Sequence, residues 1–261
     1  MVVDLNILKR IVEAKSARLE DRKRLLPLEA IEEMIERRAK SYDFAGAIGN
    51  KPVRIIAEVK KSSPSAGLLC SDFVPAHLAR KYAETGAAAV SILTEEDYFG
   101  GRIGDMVSVR SELEIPLLRK DFIWDRYQVY ESAAFGADAL LLIAALLSQR
   151  RMNELMDLSQ NLGMDCLVET HNEKELEMAL KADAYIIGIN NRDLDSFRVD
   201  FDTTRRLRTM IPDGKIVVSE SGIRTRADVQ QLKTLGVHAV LVGEVLVTTK
   251  SVEEKMRELI V

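Results

Sequence analysis

Carboxylates and ammonium groups recur in this sequence at one kind of place, the C-terminal end of a short apolar run. Ile55-Ile-Ala-Glu58-Val-Lys60, Leu117-Leu-Arg-Lys120, Leu167-Val-Glu169 and Val218-Ser-Glu220 all finish this way. Each charged residue shares its parity with a large apolar one (Ile56, Leu118, Leu167, Val218), so in strands the two would face the same side. Asn190, following Ile186 and Gly188, adds an amide to the set. Ammonium groups that polarise or protonate a carbonyl, beside carboxylates that remove protons, suit acid–base rearrangement of a phosphorylated keto sugar without a cofactor. Buried singly, such charges would cost several kcal/mol each, so they must neutralise one another or a ligand. A purely structural ion cluster is the competing reading.

The elements that must position these residues are legible as a repeat. Gly86-Ala-Ala-Ala-Val, Gly136-Ala-Asp-Ala-Leu, Gly163-Met-Asp-Cys-Leu and Gly236-Val-His-Ala-Val each separate a charged helical stretch from an apolar run, and Lys181-Ala-Asp-Ala-Tyr repeats the phrase without its glycine. Each glycine reads as a helix C′ residue. Asn172/Glu175, Thr225/Asp228, Ser251/Glu254 and Ser148 mark helix starts. Eight apolar runs follow (54–60, 88–94, 116–120, 138–143, 165–169, 185–190, 215–220 and 239–243), nearly continuous and alternating with amphipathic helices. That pattern predicts a parallel sheet covered by helices, closed as a (β/α)8 TIM barrel. An open doubly wound sheet is the rival, but no GxGxxG or P-loop follows the first run. Residues 1–50 precede the first run and read as an N-terminal helical extension around Ile7, Ile11, Leu28, Ile31 and Ile35, giving a single barrel domain over 1–261. In such a barrel the C-terminal strand ends carry the active site, and the four charged ends all belong to odd-numbered strands that fill shared layers.

Further candidates lie in the loops. Ser221-Gly222-Ile223 after the seventh run and Gly243-Glu244 after the eighth occupy the positions where this fold presents backbone N–H groups to a phosphate. The long, small and polar loop Lys61 to Ser71, with Ser63 and Pro64, reads as a mobile cover. Phe99, Phe122 and Leu141 could wall a flat ring. His171, two residues past Glu169, is a candidate for the mouth. Cys166 reads as a small core residue and Cys70 carries no assignment. No HExxH, paired His or CxxC occurs, so metal chemistry is disfavoured. The net charge of −4, without a concentrated basic face, argues against nucleic acid. No apolar run approaches the length that spans a bilayer, and the start Met1-Val-Val-Asp4 does not read as a secretory signal, so a cytoplasmic protein is expected.

In order along the chain, Ile55-Ile-Ala-Glu58-Val-Lys60-Lys-Ser-Ser63-Pro64-Ser, Ser91-Ile-Leu-Thr-Glu95-Glu-Asp-Tyr-Phe99, Lys120-Asp-Phe122, Leu167-Val-Glu169, Gly188-Ile-Asn190-Asn-Arg192-Asp-Leu and Ser219-Glu220-Ser221-Gly222-Ile strongly resemble indole-3-glycerol-phosphate synthases of tryptophan biosynthesis. The resemblance implies a carboxy-lyase that converts 1-(2-carboxyphenylamino)-1-deoxyribulose 5-phosphate to indole-3-glycerol phosphate with loss of carbon dioxide and water. It implies Lys120 as general acid at the ketone and Glu169 as the base for dehydration. Lys60 would pair with the substrate carboxylate or act as an acid in a later step. Glu58, Asn190 and Glu220 would orient the lysines and sugar hydroxyls, and Arg192 would hold the carboxylate end. Ser221, Gly222, Gly243 and Glu244 would bind phosphate, mainly through backbone N–H groups. Ser63, Pro64, Phe99, Phe122 and Leu141 would line the substrate site, all but Ser63 enclosing the anthranilate ring. Glu244 replaces a small hydroxyl residue of some members, so a side-chain phosphate contact is not expected there. Some members also place an aromatic in the N-terminal helix, whereas the one tryptophan here, Trp124, follows the third run. The single-function form, monomeric or weakly dimeric, is expected. The rivals are an aldolase-like barrel with a Schiff base on Lys120 or Lys60 and a non-catalytic phosphate-binding barrel.

Overall fold

The structure, a computed structural model, describes residues 7–38, 41–64, 67–70, 72–194 and 196–261. Residues 1–6, the side chain of Ile7, and Ser65, Ala66 and Ser71 of the strand-1 loop lie outside the described residues. Eight parallel strands, β1 (Arg54–Val59), β2 (Ala89–Leu93), β3 (Leu117–Lys120), β4 (Ala139–Ile143), β5 (Asp165–Thr170), β6 (Ile186–Asn190), β7 (Ile216–Glu220) and β8 (Ala239–Val242), pair in sequence order, and β8 pairs with β1 to close a (β/α)8 barrel. Each predicted run coincides with one of these strands, and β5 extends one residue past its run, to Thr170. Among the described residues, no helix is long and apolar enough to cross a membrane.

The alternation read from the sequence divides the core in two. Ile56, Leu118, Leu167, Ile186, Val218 and Leu241 point into the barrel and pack on one another. Ile55, Ala57, Val90, Leu140, Val168 and Val240 point outward under the helices. Helices α4 (Pro75–Glu84), α5 (Ile103–Arg110) and α9 (Asp202–Arg208) follow β1, β2 and β6, and four others start where their caps predict: Ser148, Asn172, Thr225 and Ser251 accept hydrogen bonds from Arg151, Glu175, Asp228 and Glu254 backbone N–H, opening α7 (Gln149–Asn161), α8 (Glu173–Lys181), α10 (Arg226–Thr234) and α12 (Val252–Leu259). Gly86, Gly136, Gly163 and Gly236 all have positive φ, as C′ residues do. At the fifth repeat the residue in that place is Asp183, with φ 55°, and not Lys181. The phrase there is displaced by two residues, and a short polar side chain takes the left-handed conformation in place of glycine.

The N-terminal segment runs from one end of the barrel to the other. Helix α1 (Ile7–Leu25) sets Leu8 and Ile11 against the inner cluster at the C-terminal mouth, and α2 (Leu28–Glu36) lies on α6 (Arg126–Ala134) through Ile31 and Tyr127, which Leu19 of α1 joins. Helix α3 (Phe44–Gly49), capped by Asp43, buries Phe44 and Ile48 completely and plugs the N-terminal end. Asp138 of the second repeat phrase fixes this passage. Its carboxylate accepts from the Leu117 and Tyr42 backbone N–H at 2.8 and 2.9 Å and from Arg110 and Arg38 at 2.9 and 3.0 Å. Removing it strands two guanidinium groups and two N–H donors. Asp138→Ala is therefore expected to lower the unfolding free energy by about 3–5 kcal/mol, the range for breaking a buried ion pair, measured by urea denaturation. A loss within the roughly 0–1 kcal/mol of surface pairs would show that the clasp does not hold the two halves together.

Candidate active site

Register carries the charged ends to a common level. Asn190 pairs with Glu220, Gly188 with Glu169, and Ser91 with Glu58. Lys120 Nζ lies 2.7 Å from Glu220 Oε2 and 3.3 Å from Glu169 Oε2, while Lys60, just past the end of β1, sits 2.6 Å from Glu58 Oε1. Two glycines make room for this. A Cβ on Gly188 would fall 2.5 Å from Glu220 Oε1, and one on Gly243 would fall 2.3 Å from Glu58 Oε1. Gly243, read as a place for phosphate to approach, thus has a second reason to be glycine. The sixteen residues assigned catalytic, substrate-binding or phosphate-binding roles from the sequence all line one cavity of about 460 Å³ at the mouth.

The carboxylates are not equivalent. Burial works against the charge of Glu169, but Lys120 and then His171 outweigh it and hold this carboxyl below the ordinary range. Burial, with the charge of Glu169 adding to it and Lys120 opposing, pushes Glu220 up to about 7. Lys120 is desolvated, yet Glu220, Glu169 and Glu58 together hold its proton more firmly than usual. His171, which the sequence offered only as a candidate for the mouth, lies behind Glu169 and is not among the residues lining the cavity.

One side of the cavity is apolar. Phe99 and Phe122 lie 6.3 Å apart between centroids, tilted by 40°, beside Leu141, Pro64, Leu8 and Ile11. Leu8 and Ile11 are what the N-terminal helix contributes to this wall. Trp124 packs between core layers away from the cavity. Glu95, fully buried, accepts from the backbone N–H of Asp97, Tyr98 and Phe99 and so fixes the loop that carries Phe99. The strand-1 loop folds back as a small hairpin of Ser62–Ser63 against Gly67–Leu68, with Ser62 N–H donating to Phe99 C=O at 3.3 Å.

The opposite end is built from loops. Ser221 and Gly222 both take positive φ, 67° and 85°. For serine that conformation costs of order 1 kcal/mol, and it turns the chain so that Ser221, Gly222, Ile223 and Arg224 line the wall. Glu244, at the start of α11 (Glu244–Val247), lies 3.3 Å from Arg224 and 3.7 Å from Arg192, whose Nη1 donates to Phe197 C=O. Arg192, read as a partner of the substrate carboxylate, therefore stands beside the β7 and β8 loops. Arg224 was not foreseen, since nothing in its spacing distinguishes it from a solvated arginine.

A buried ion network behind the site was also missed. Arg119, of opposite parity to Lys120, is fully buried and reaches Asp121 at 3.0 Å, Glu131 at 2.7 Å and Ser132 at 3.1 Å. Asp121 also accepts from Thr94 at 2.7 Å and pairs with Lys15 of α1. Arg18 and Arg22 of the same helix pair with Glu96. The helix that covers the mouth is thereby tied to the strand that ends in Lys120.

Among solved structures, an N-acetylmannosamine-6-phosphate 2-epimerase from Clostridium perfringens is similar with a TM-score of 0.61 over 80% of this chain and 92% of that chain, at 15% identity, which bears on the fold alone. The indole-3-glycerol phosphate synthase of Dehalococcoides mccartyi (strain CBDB1) is 52% identical over 258 residues, 97% of this chain and 100% of the relative. That of Endomicrobium trichonymphae is 46% identical over 255 residues, 97% of this chain and 99% of the relative. A family model described as indole-3-glycerol phosphate synthase matches residues 8–259, so the match runs through the barrel and most of the helical segment before it. With lysines and glutamates on alternate strand ends and similarity along the full barrel, the chain belongs to the indole-3-glycerol phosphate synthase family.

Proposed function

We propose that this cavity converts 1-(2-carboxyphenylamino)-1-deoxyribulose 5-phosphate to indole-3-glycerol phosphate, carbon dioxide and water, and that the residues gathered around Lys120 perform the steps. The observation that carries the reading is one ammonium group held between two buried carboxylates, with an apolar wall on one side and a glycine and arginine cradle on the other. The aryl ring would lie against Phe99, Phe122, Leu141, Pro64, Leu8 and Ile11, with Ser63 at the rim. The phosphate would take backbone N–H groups of Ser221, Gly222, Gly243 and Glu244. Arg192 and Arg224 are assigned to that same cradle, because Glu244 lies beside both; this moves Arg192 from the carboxylate end. Lys60 then remains for the substrate carboxylate or for a later protonation.

Lys120 would protonate the ketone oxygen as the ring carbon attacks. Decarboxylation restores the aromatic ring, and removal of a proton by Glu169 with loss of the hydroxyl as water completes the indole. Glu58, Asn190 and Glu220 would orient the lysines and hydroxyls. At rest, Glu169 is a weak base because cations face it. Once Lys120 has given up its proton, one of those charges is gone, and Glu169 gains proton affinity at the stage that needs it. A Schiff base on Lys120 would need a neutral amine, and its carboxylate partners oppose that. The reading takes the chain as one barrel domain with residues 1–50 as its helical extension, monomeric or weakly dimeric and cytoplasmic. Its net charge of −4 supports a small-molecule role over nucleic acid.

Lys120→Ala and Glu169→Gln are each expected to lower kcat by about 10²–10⁴-fold, with unchanged circular dichroism, in an assay of indole fluorescence after mixing with the carboxyphenylamino sugar phosphate. Glu220→Gln should lower it less. Retained kcat removes the substituted residue from its role. A second expectation concerns anion competition: Glu244→Gln should lower KM and tighten inhibition by inorganic phosphate, because the arginines lose their internal partner. Unchanged constants would mean that Glu244 does not compete.

The raised Glu220 carboxyl also sets a pH dependence of stability. Its folded value of about 7 exceeds the ordinary 4.5, so its contribution is fully present at low pH and is lost as pH rises through about 7. Urea midpoints between about pH 5 and 8 should therefore fall less in Glu220→Gln than in the wild type. Parallel curves would place the titration elsewhere.

A further inference from the structure

We propose that His171 is a positioning residue for the reaction, holding Glu169 from the side opposite Lys120 and so deciding which of the two carboxylates around Lys120 stays anionic and serves as the base. The proposal rests on the assignment of Glu169 above and deepens it. The geometry is asymmetric. Each oxygen of Glu169 has its own cationic neighbour, Oε2 facing Lys120 at 3.3 Å and Oε1 facing His171 Nε2 at 3.3 Å. Among the described residues Glu220 has one cationic neighbour, Lys120 at Oε2, and its buried Oε1 makes no hydrogen bond.

His171 is itself fixed. It is buried at the end of β5, and its Nδ1 lies 2.9 Å from Glu175 Oε2, which also accepts from the His171 backbone N–H at 2.9 Å. Glu175 Oε1 accepts from Asn172 Nδ2 at 2.6 Å, and Asn172 caps α8, so the ring is anchored to the start of that helix. The charged groups facing the ring are Glu169 from β5 and Glu175 from α8, with Lys120 and Glu220 beyond Glu169. The 3-10 turn Ala144–Leu146, which packs on both elements, carries no charge. Burial disfavours an imidazolium, but the two carboxylates outweigh it and raise the ring to about 10. A chain of alternating charge thus runs from Lys120 through Glu169 and His171 to Glu175; the imidazole Nε2 stands 3.3 Å from Glu169 Oε1 as a charge neighbour, short of an aligned hydrogen bond, and leaves the base its cavity-facing oxygen.

The test is kcat as a function of pH, from about pH 5 to 9, for the wild type, His171→Gln, Glu175→Gln and Glu169→Gln, with the carboxyphenylamino sugar phosphate and indole fluorescence. Losing one of two opposite charges should move the acid limb of His171→Gln upward by about one pH unit, so that kcat relative to the wild type falls by up to about tenfold toward the acid end of the range and converges with it toward pH 9, with KM within about twofold. Glu175→Gln should move the limb the same way by less, and serves if His171→Gln folds poorly. The wild-type ring should give imidazolium nitrogen resonances at pH 8. A superimposable profile, a loss of kcat by the same factor at every pH, or a neutral ring at pH 8 overturns the proposal while leaving Glu169 as base. Retained kcat in Glu169→Gln overturns both.

Discussion

The shared proton affinity around Lys120 is the constraint on which the site depends. An ammonium group taken out of water costs several kcal/mol, and at an effective dielectric near 20 one opposite charge at about 4 Å returns roughly 4 kcal/mol. Lys120 has two such partners at closer range, Glu169 and Glu220, with Glu58 farther off. Three carboxylates against two lysines leave one negative charge over, and Glu220 relieves the excess because burial lets it keep a proton near neutrality. The cluster therefore comes close to balance only with a proton shared inside it, a state suited to moving protons and poor for a purely structural bond.

Holding that balance requires backbone precision, which the barrel supplies through alternation. One residue of slip in β3 would exchange Lys120 with Arg119, and the two positions lie in different worlds. Lys120 opens to the cavity, while Arg119 is sealed between sheet and α6 by Asp121, Glu131 and Ser132. Each charge is satisfied only in its own register, so the outer network specifies the position of the inner lysine. Lys15 extends the same logic to α1 through Asp121, so the cover over the ring and the acid at the ketone share a carboxylate hub.

Much of this was legible, and for definable reasons. Strand runs, helix caps and C′ glycines are local signals, and they located all eight strands and the starts or ends of several helices. Parity then told which charged residues share the mouth. Contacts that depend on the third dimension alone were not legible. Arg119 carried no assignment, because outward-facing charge is ordinarily solvated, and only the packing of α6 buries it. His171 was placed two residues along from Glu169 but turned the other way, held by an acid on the next helix. Asp183 shows how a repeat can be misaligned when the glycine that marks its register is replaced.

At the loop-built end of the cavity, Glu244 puts a carboxylate where an anion is to be received, and this fits the charge arithmetic. Two arginines lining an empty cavity would repel each other and draw counterions. With Glu244 between them half of that charge is offset, and both are held near the β7 and β8 loops at 3.3 and 3.7 Å. These contacts are partly exposed, where ion pairs contribute little net stability, so an incoming phosphate with more charge and more acceptors can displace the carboxylate at small cost. The strained Ser221 and the glycine after it provide what the arginines cannot, backbone donors fixed in direction before the ligand arrives. Binding at this end is then an exchange of one internal anion for an external one, and the energy that distinguishes them comes from the fixed N–H groups more than from the mobile guanidinium groups.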